Sequence, residues 1–240
     1  MLTVSTGART DVGRVRRLNE DSYVIGRRLW MVADGMGGHA AGDVASQLIA
    51  ERFDRLRDAP TLRRGDIETA LREANTAVVG YGISHPVAQG LGSTVTGLAG
   101  ISTDAGERWL VFNVGDSRVY SWLGGELTRV TVDHSEVEEL IAAGALTPDE
   151  GRVHPLRNVI TRSLGSRLVP EPDYVERPQV PGERFVVCSD GLNSELTDVQ
   201  IAAIMAQDAD PQSTADALVA AALDAGGHDN VTVVVLQIGD

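Results

Sequence analysis

Leu29-Trp30-Met31-Val32-Ala33 runs directly into Asp34-Gly35-Met36-Gly37-Gly38-His39, and that join decides the fold. Five apolar residues in succession read as a strand buried on both faces. The Asp-Gly that follows ends the strand and leaves a carboxylate at the rim of a sheet. Just upstream, Tyr23-Val24-Ile25 is a second β-type run, and Gly26-Arg27-Arg28 between them suffices only for a short turn. The pair predicts a hairpin. In a hairpin the start of the first strand and the end of the second share the open end. Asp21, preceded by Glu20, is therefore expected beside Asp34.

The same punctuation recurs. Arg184-Phe185-Val186-Val187-Cys188 ends in Ser189-Asp190-Gly191, and the run from Trp109 to Val114 ends in Gly115-Asp116. Asp229-Asn230 instead precedes the run from Val231 to Ile238. If that last strand is antiparallel to its neighbours, Asp229 reaches the rim shared by Asp190 and Asp34. One Asp-Gly is a common turn; five acidic segments at one rim are not explained by turns. Clustered carboxylates repel one another unless a cation lies among them. All-oxygen donors suit Mg²⁺ or Mn²⁺ rather than zinc or copper. Two such ions about 3.5–4 Å apart activate water for in-line displacement at phosphorus. Gly35 would leave its carbonyl accessible to an ion, and Gly37-Gly38 would keep the loop tight.

Elsewhere the apolar period alternates between two and 3.6, which predicts a mixed α+β class. Strands are expected at 23–25, 29–33, 93–101, 109–114, 119–123, 184–188 and 231–238. Helices are expected at 43–56, 66–81, 199–206 and 212–225. Ser135 with Glu138, and Thr197 with Gln200, fit the capping box, and Pro148 after Thr147 marks another helix start. The stretch 153–181 reads as loop with a short strand near 159–162. No repeat, low-complexity segment or linker interrupts the chain, so one domain over 1–240 is expected.

Composition narrows the function classes. The chain has 240 residues, 42% hydrophobic, with 21 basic and 34 acidic residues for a net charge of −13. All the basic residues are arginine. That acidity opposes nucleic-acid binding, which requires clustered positive charge. The single cysteine excludes a disulfide scaffold and any cysteine-built metal site. No apolar run approaches the roughly 20 residues of a membrane span, and the first residues lack a signal-peptide core. A soluble, cytoplasmic monomer is the expectation. Asp133-His134-Ser135 is not a hydrolytic triad, because triads assemble in space rather than in sequence. The Asp34 loop lacks the Lys-Ser/Thr of a nucleotide-binding P-loop. Cys188, inside an apolar strand, reads as a buried inert thiol.

With these segments in order, the chain resembles the PPM/PP2C family of metal-dependent protein phosphatases, in its compact bacterial form. The resemblance is carried by the run from Thr10 to Asp21, by Asp34 to His39, by Gly92-Ser93-Thr94 and by Asn113 to Arg118. It continues through Asp133-His134-Ser135, the run from His154 to Arg162, Cys188 to Leu192 and Gly227 to Thr232. It implies a four-layer αββα sandwich of two mostly antiparallel sheets flanked by helices. It implies two core Mn²⁺ or Mg²⁺ ions, with Asp34 bridging them, the Gly35 carbonyl on one, and Asp190 and Asp229 on the other. Asp116, with Asp190, resembles a third and weaker site. Glu20 and Asp21 resemble the acids that orient metal-bound waters, and Arg16 the phosphate-binding arginine. The implied reaction is hydrolysis of phosphoserine or phosphothreonine in proteins, kinases or their substrates, by a bridging hydroxide attacking in line. Where eukaryotic members carry a histidine this chain has Met36, so the proton for the leaving alkoxide comes from a metal-bound water or, as second choice, from His39. Two alternatives accompany this reading. A non-catalytic pseudophosphatase would have lost metal ligands, and none is lost here. A narrow regulatory phosphatase, acting on an anti-anti-sigma-type phosphoprotein, would be favoured by a fused sensor domain, which the sequence does not display.

Overall fold

The computed structural model describes residues 2–37 and 41–239. In chain order, strands β1 (Val4–Asp11), β2 (Asp21–Ile25) and β3 (Leu29–Met36) lead to helices α1 (Gly42–Asp54) and α2 (Arg64–Ser84). Strands β4 (Gly92–Ser93), β5 (Val95–Thr103), β6 (Gly106–Val114), β7 (Arg118–Leu123) and β8 (Glu126–Arg129) follow. Two short helices, α3 (Glu136–Ala142) and α4 (Pro148–Val153), precede β9 (Asp173–Pro178) and β10 (Arg184–Cys188). The chain continues with α5 (Asp190–Asn193), α6 (Asp198–Met205), α7 (Pro211–Ala225) and β11 (Val231–Ile238).

The strands form a five-stranded sheet ordered β1-β11-β10-β7-β8 and a six-stranded one ordered β2-β3-β5-β6-β9, with β4 paired to β3. Neighbouring strands run antiparallel. The predicted hairpin forms, and Asp21 stands directly opposite Asp34 in its register. In β10 and β11 both faces are apolar because both are covered. Val186, Cys188, Val233 and Val235 pack under α6 and α7, whereas Phe185, Val187, Val234 and Leu236 face the other sheet. Trp109 of β6 bridges the sheets, its ring edge-on to Trp30 at 6.1 Å and to Phe185 at 6.0 Å. The outer face of β3, β5 and β6 is covered by α1 and α2, with Phe53 stacked on Phe112 at 5.4 Å. Three apolar layers thus join helices, sheet, sheet and helices in the αββα order, and each fully buried large side chain contributes about 1.5–3 kcal/mol.

Several expectations are corrected. The strand expected at 93–101 is interrupted at Thr94 and so divides into β4 and β5, although the Thr94 N–H still bonds the Asp34 carbonyl at 2.9 Å in the register of the flanking pairs. No strand forms at 159–162, where Ile160 makes only an isolated bridge to Ser135. The strand of that region is β9, further along. Ser135 caps α3 through Glu138 N–H, but the reciprocal half of the box is missing because the Glu138 carboxylate bonds Arg129 at 2.6 Å. At Thr197 and Thr147 both halves form. Among the described residues, no helix is long and apolar enough to cross a membrane.

Candidate metal centre

Asp34 is held from the backbone outward. Its N–H donates to Thr94 Oγ1 at 3.0 Å, and that hydroxyl shares a 2.7 Å hydrogen bond with Ser117 Oγ. Strand β3, the β4–β5 break and the β6–β7 turn are thereby fixed to one another at the rim. The Gly35 N–H donates to the Glu20 carbonyl at 3.1 Å. Gly35 has to be glycine because a Cβ there would collide with the Gly42 carbonyl. Gly42 in turn leaves room for the Glu20 carboxylate, whose Oε1 would lie 2.6 Å from any added Cβ.

Asn230, beside Asp229, organises the opposite wall. Its Oδ1 accepts from Glu20 N–H at 2.8 Å, and its Nδ2 donates to the carbonyls of Val12 at 2.9 Å and Leu18 at 2.8 Å. The loop bearing Arg16 is pinned by these bonds. Arg16 Nη2 donates to Asp229 Oδ2 at 2.7 Å. Burial opposes the charge of Arg16, but Asp229, Glu20 and Asp34 together hold its guanidinium above its ordinary pKa. Ser189 Oγ donates to Asp21 Oδ2 at 2.7 Å while accepting from Thr232 N–H at 2.9 Å. A Cβ on Gly191 would collide with the Asn230 carbonyl, which is how closely the Asp190 and Asp229 segments approach.

The carboxylates perturb one another as a cluster. Burial, then the charges of Asp21, Asp190, Asp116 and Asp229, push Asp34 well above the usual carboxylate range. Burial and the charges of Asp190 and Asp229 push Asp21 to about 7, against hydrogen bonds from Thr232 and Ser189. Burial and Asp229 raise Asp190 to about 6, partly offset by a hydrogen bond with Asp34. Asp116 is raised by burial and then by Asp190 and Asp133. Asp21 Oδ1 and Asp116 Oδ1 are buried with no hydrogen-bond partner. Beside Asp116 and Asp190 opens a cleft of about 420 Å³, walled by Ser135, Arg152, Arg157 and Asn158.

This donor set fits divalent cations. It is all oxygen, it is strongly anionic with Arg16 as its direct cationic partner, and two of its oxygens are buried and unpaired. Among the described residues, no three His, Cys, Asp or Glu side chains already converge in a metal-holding group. Asp34 and Asp190 act on each other through charge, Asp190 being among the neighbours that, after burial, raise Asp34. The fit therefore rests on donor chemistry and orphaned oxygens rather than on a finished coordination shell.

Residues 17–207 match the model of the protein phosphatase 2C family. The chain belongs to the protein phosphatase 2C family. It is 40% identical, over its full length, to the Mycobacterium tuberculosis serine/threonine protein phosphatase PstP, of which it spans 46%. The chain thus covers about half the length of the first curated relatives it matches. It is 34% identical to the Listeria welshimeri serine/threonine phosphatase stp, over 95% of this chain and 94% of that one. The crystal structure of the PstP catalytic domain in complex with two manganese ions superposes with a TM-score of 0.91 at 37% identity, covering 100% of both chains.

Within this phosphatase 2C fold, Asp21, Asp34, Asp116 and Asp190 are each raised by burial and by the charges of other acids of the cluster, Asp229 meets Arg16, and Glu20 reaches the cluster through Arg16 and its own main chain. His39 lies outside the described residues. Sequence reasoning quoted Thr94, Ser117, Ser189, Asn230 and Thr232 without giving them tasks. For Ser117, Ser189 and Asn230 the signal was faint but present, each adjoining a rim aspartate in sequence, whereas Thr94 and Thr232 adjoin none.

Proposed function

We propose that this chain is a protein serine/threonine phosphatase, one catalytic domain over residues 1–240, hydrolysing phosphoserine and phosphothreonine with two Mn²⁺ or Mg²⁺ ions and a third, weaker one. What supports it is that Asp21 stands opposite Asp34, Arg16 pairs with Asp229, Asp116 and Asp190 line one cleft, and burial with the charges of Asp21, Asp190, Asp116 and Asp229 raises Asp34. Asp34, the Gly35 carbonyl, Asp190 and Asp229 would hold the core ions, and Asp116 with Asp190 the weaker one. The bound ions would supply a nucleophilic oxygen at neutral pH and neutralise charge on the phosphoryl group. Arg16, about half exposed and paired at its tip with Asp229, offers a planar fork of donors to two phosphate oxygens. Glu20 and Asp21 would orient the attacking water. Thr94, Ser117 and Asn230 keep these groups in register. The cleft beside Asp116 gives room for the polypeptide that carries the phosphate, so the partners are phosphoproteins, kinases or their targets.

Mn²⁺ should drive hydrolysis of p-nitrophenyl phosphate and of a phosphothreonine peptide, and EDTA should abolish both. Mn²⁺ should also raise the Tm by binding the folded state, with Asp34→Asn removing most of that rise and lowering kcat about 100-fold or more. Hydrolysis that persists in EDTA, or is absent in saturating Mn²⁺, overturns the proposal. A Tm rise unchanged in Asp34→Asn places the ions elsewhere.

A further inference from the structure

His134 is buried, 4% exposed, and touches neither Arg16 nor the core carboxylates. Its surroundings fix its tautomer. The Gly115 N–H donates to Nδ1 at 3.1 Å, so Nδ1 carries a lone pair and the ring proton sits on Nε2. That Nε2–H faces Asp173 Oδ2 at 3.2 Å. Arg162 Nη1 also lies 3.2 Å from Nε2, but two donors cannot bond each other. Arg162 is occupied instead by Asp173 Oδ1 at 3.1 Å and the Glu171 carbonyl at 3.3 Å. Main-chain bonds complete the clamp, from His134 N–H to the Gly115 carbonyl at 3.0 Å and from Thr161 N–H to the His134 carbonyl at 2.8 Å.

His134 therefore ties together the Gly115-Asp116 turn, the Thr161-Arg162 segment and the start of β9. The turn has little other freedom. Gly115 adopts φ +112° and packs against the Thr94 side chain, and its carbonyl also accepts from Asn113 Nδ2 at 3.0 Å. The next residue is Asp116, whose Oδ1 is buried without a partner and whose carboxyl is raised by burial and then by Asp190.

We propose that His134 is a positioning residue for the weaker cation site: through Nδ1 it sets the Gly115-Asp116 turn so that the Asp116 carboxylate faces Asp190. This rests on the metal-dependent reading above, and it links that carboxylate to the segment that carries Arg162. The role requires an acceptor at the Nδ1 position, not merely a ring of this size. Asparagine places an amide oxygen near Nδ1, whereas glutamine reaches toward Nε2 and leaves Gly115 N–H unmet.

The test is calorimetric titration of Mn²⁺ into wild type, His134→Asn, His134→Gln and Asp116→Asn, with Tm measured for each. His134→Gln should weaken the weakest Mn²⁺ site about tenfold, within the range for residues that orient ligands, and leave the tight sites unchanged. His134→Asn should stay within about twofold of wild type although it loses Asp173. In the Asp116→Asn background, His134→Gln should have no further effect on Mn²⁺ binding, as expected of a shared pathway. Equal weakening in both histidine variants, weakening that follows Tm alone, or no weakening in His134→Gln overturns the proposal. Wild type that binds no Mn²⁺ overturns the phosphatase reading itself, a result distinct from any of these.

Discussion

Gly35 is needed for contact rather than for backbone freedom. Its Cβ would meet the Gly42 carbonyl, with the Glu20 carbonyl 2.6 Å away, and neither is a movable side-chain tip. Gly35→Ala should therefore cost about 2–3 kcal/mol, the upper part of the overpacking range, and urea unfolding would measure it. A loss under about 0.5 kcal/mol would show that the rim has slack the contacts do not suggest. His39 is a different matter, since its role rests only on resemblance. With Met36 offering no proton, His39→Ala distinguishes solvent in the site from the imidazole as proton donor. If solvent supplies the proton, kcat on a phosphothreonine peptide falls less than about tenfold. A general acid is worth about 100-fold or more, and it matters far more for an alkoxide than for p-nitrophenolate. A loss of that size confined to the peptide would assign the task to His39. Residue by residue, the acids were legible because strand direction alone fixes which ends share a rim, as Asp21 opposite Asp34 demonstrates. Thr94 and Asn230 were not, because their partners lie far away in sequence: Ser117 for one, Glu20 and Val12 for the other.

At the scale of elements, local chemistry was legible wherever it was complete. Thr197 and Gln200 satisfy each other's main-chain N–H groups at the start of α6, as their spacing predicts. Thr197→Ala should lower stability by about 1 kcal/mol, with kcat unchanged because α6 carries none of the rim acids. Chemical denaturation and a p-nitrophenyl phosphate assay would check both halves; a fall in kcat would mean that the start of α6, where Asp198 lines the cleft, matters to turnover. The strands that escaped sequence reading are β1, β8 and β9, and all three are sheet edges. An edge strand is paired on one side only and half solvated, so its apolar signal is diluted. β9, Asp-Tyr-Val-Glu-Arg-Pro, exposes four of its six residues and ends in a proline that suits an edge. In β1, Gly7 interrupts the pattern because the α7 main chain at Pro211 and Gln212 approaches too closely for any side chain. Central strands such as β11 carry burial on both faces and could hardly be misread.

For the whole molecule, a net charge of −13 is consequential where charge is concentrated rather than where it is spread. Four rim carboxyls have folded-state pKa values above their ordinary range, with Asp190 at about 6 and Asp21 at about 7. A raised folded pKa means the folded state binds protons more tightly than the unfolded chain. Its contribution is fully present below the unfolded carboxylate value and disappears as pH rises through the folded one. In EDTA, the rim's contribution should thus decline from about pH 4 to about pH 7. His134, lowered by burial, works in the opposite sense, since a neutral buried ring favours higher pH below its ordinary value. Comparison of variants separates the two: in EDTA, Asp34→Asn removes one mutually repelling charge and leaves His134 intact. Its Tm should match wild type at about pH 5 and exceed it at about pH 8. With saturating Mn²⁺ the order should reverse at about pH 8, because cations replace protons at the rim and bind more tightly as the carboxyls ionise. If Asp34→Asn is less stable than wild type at high pH in EDTA, the rim's charges are not in conflict. The case for cations drawn from that conflict then fails with it.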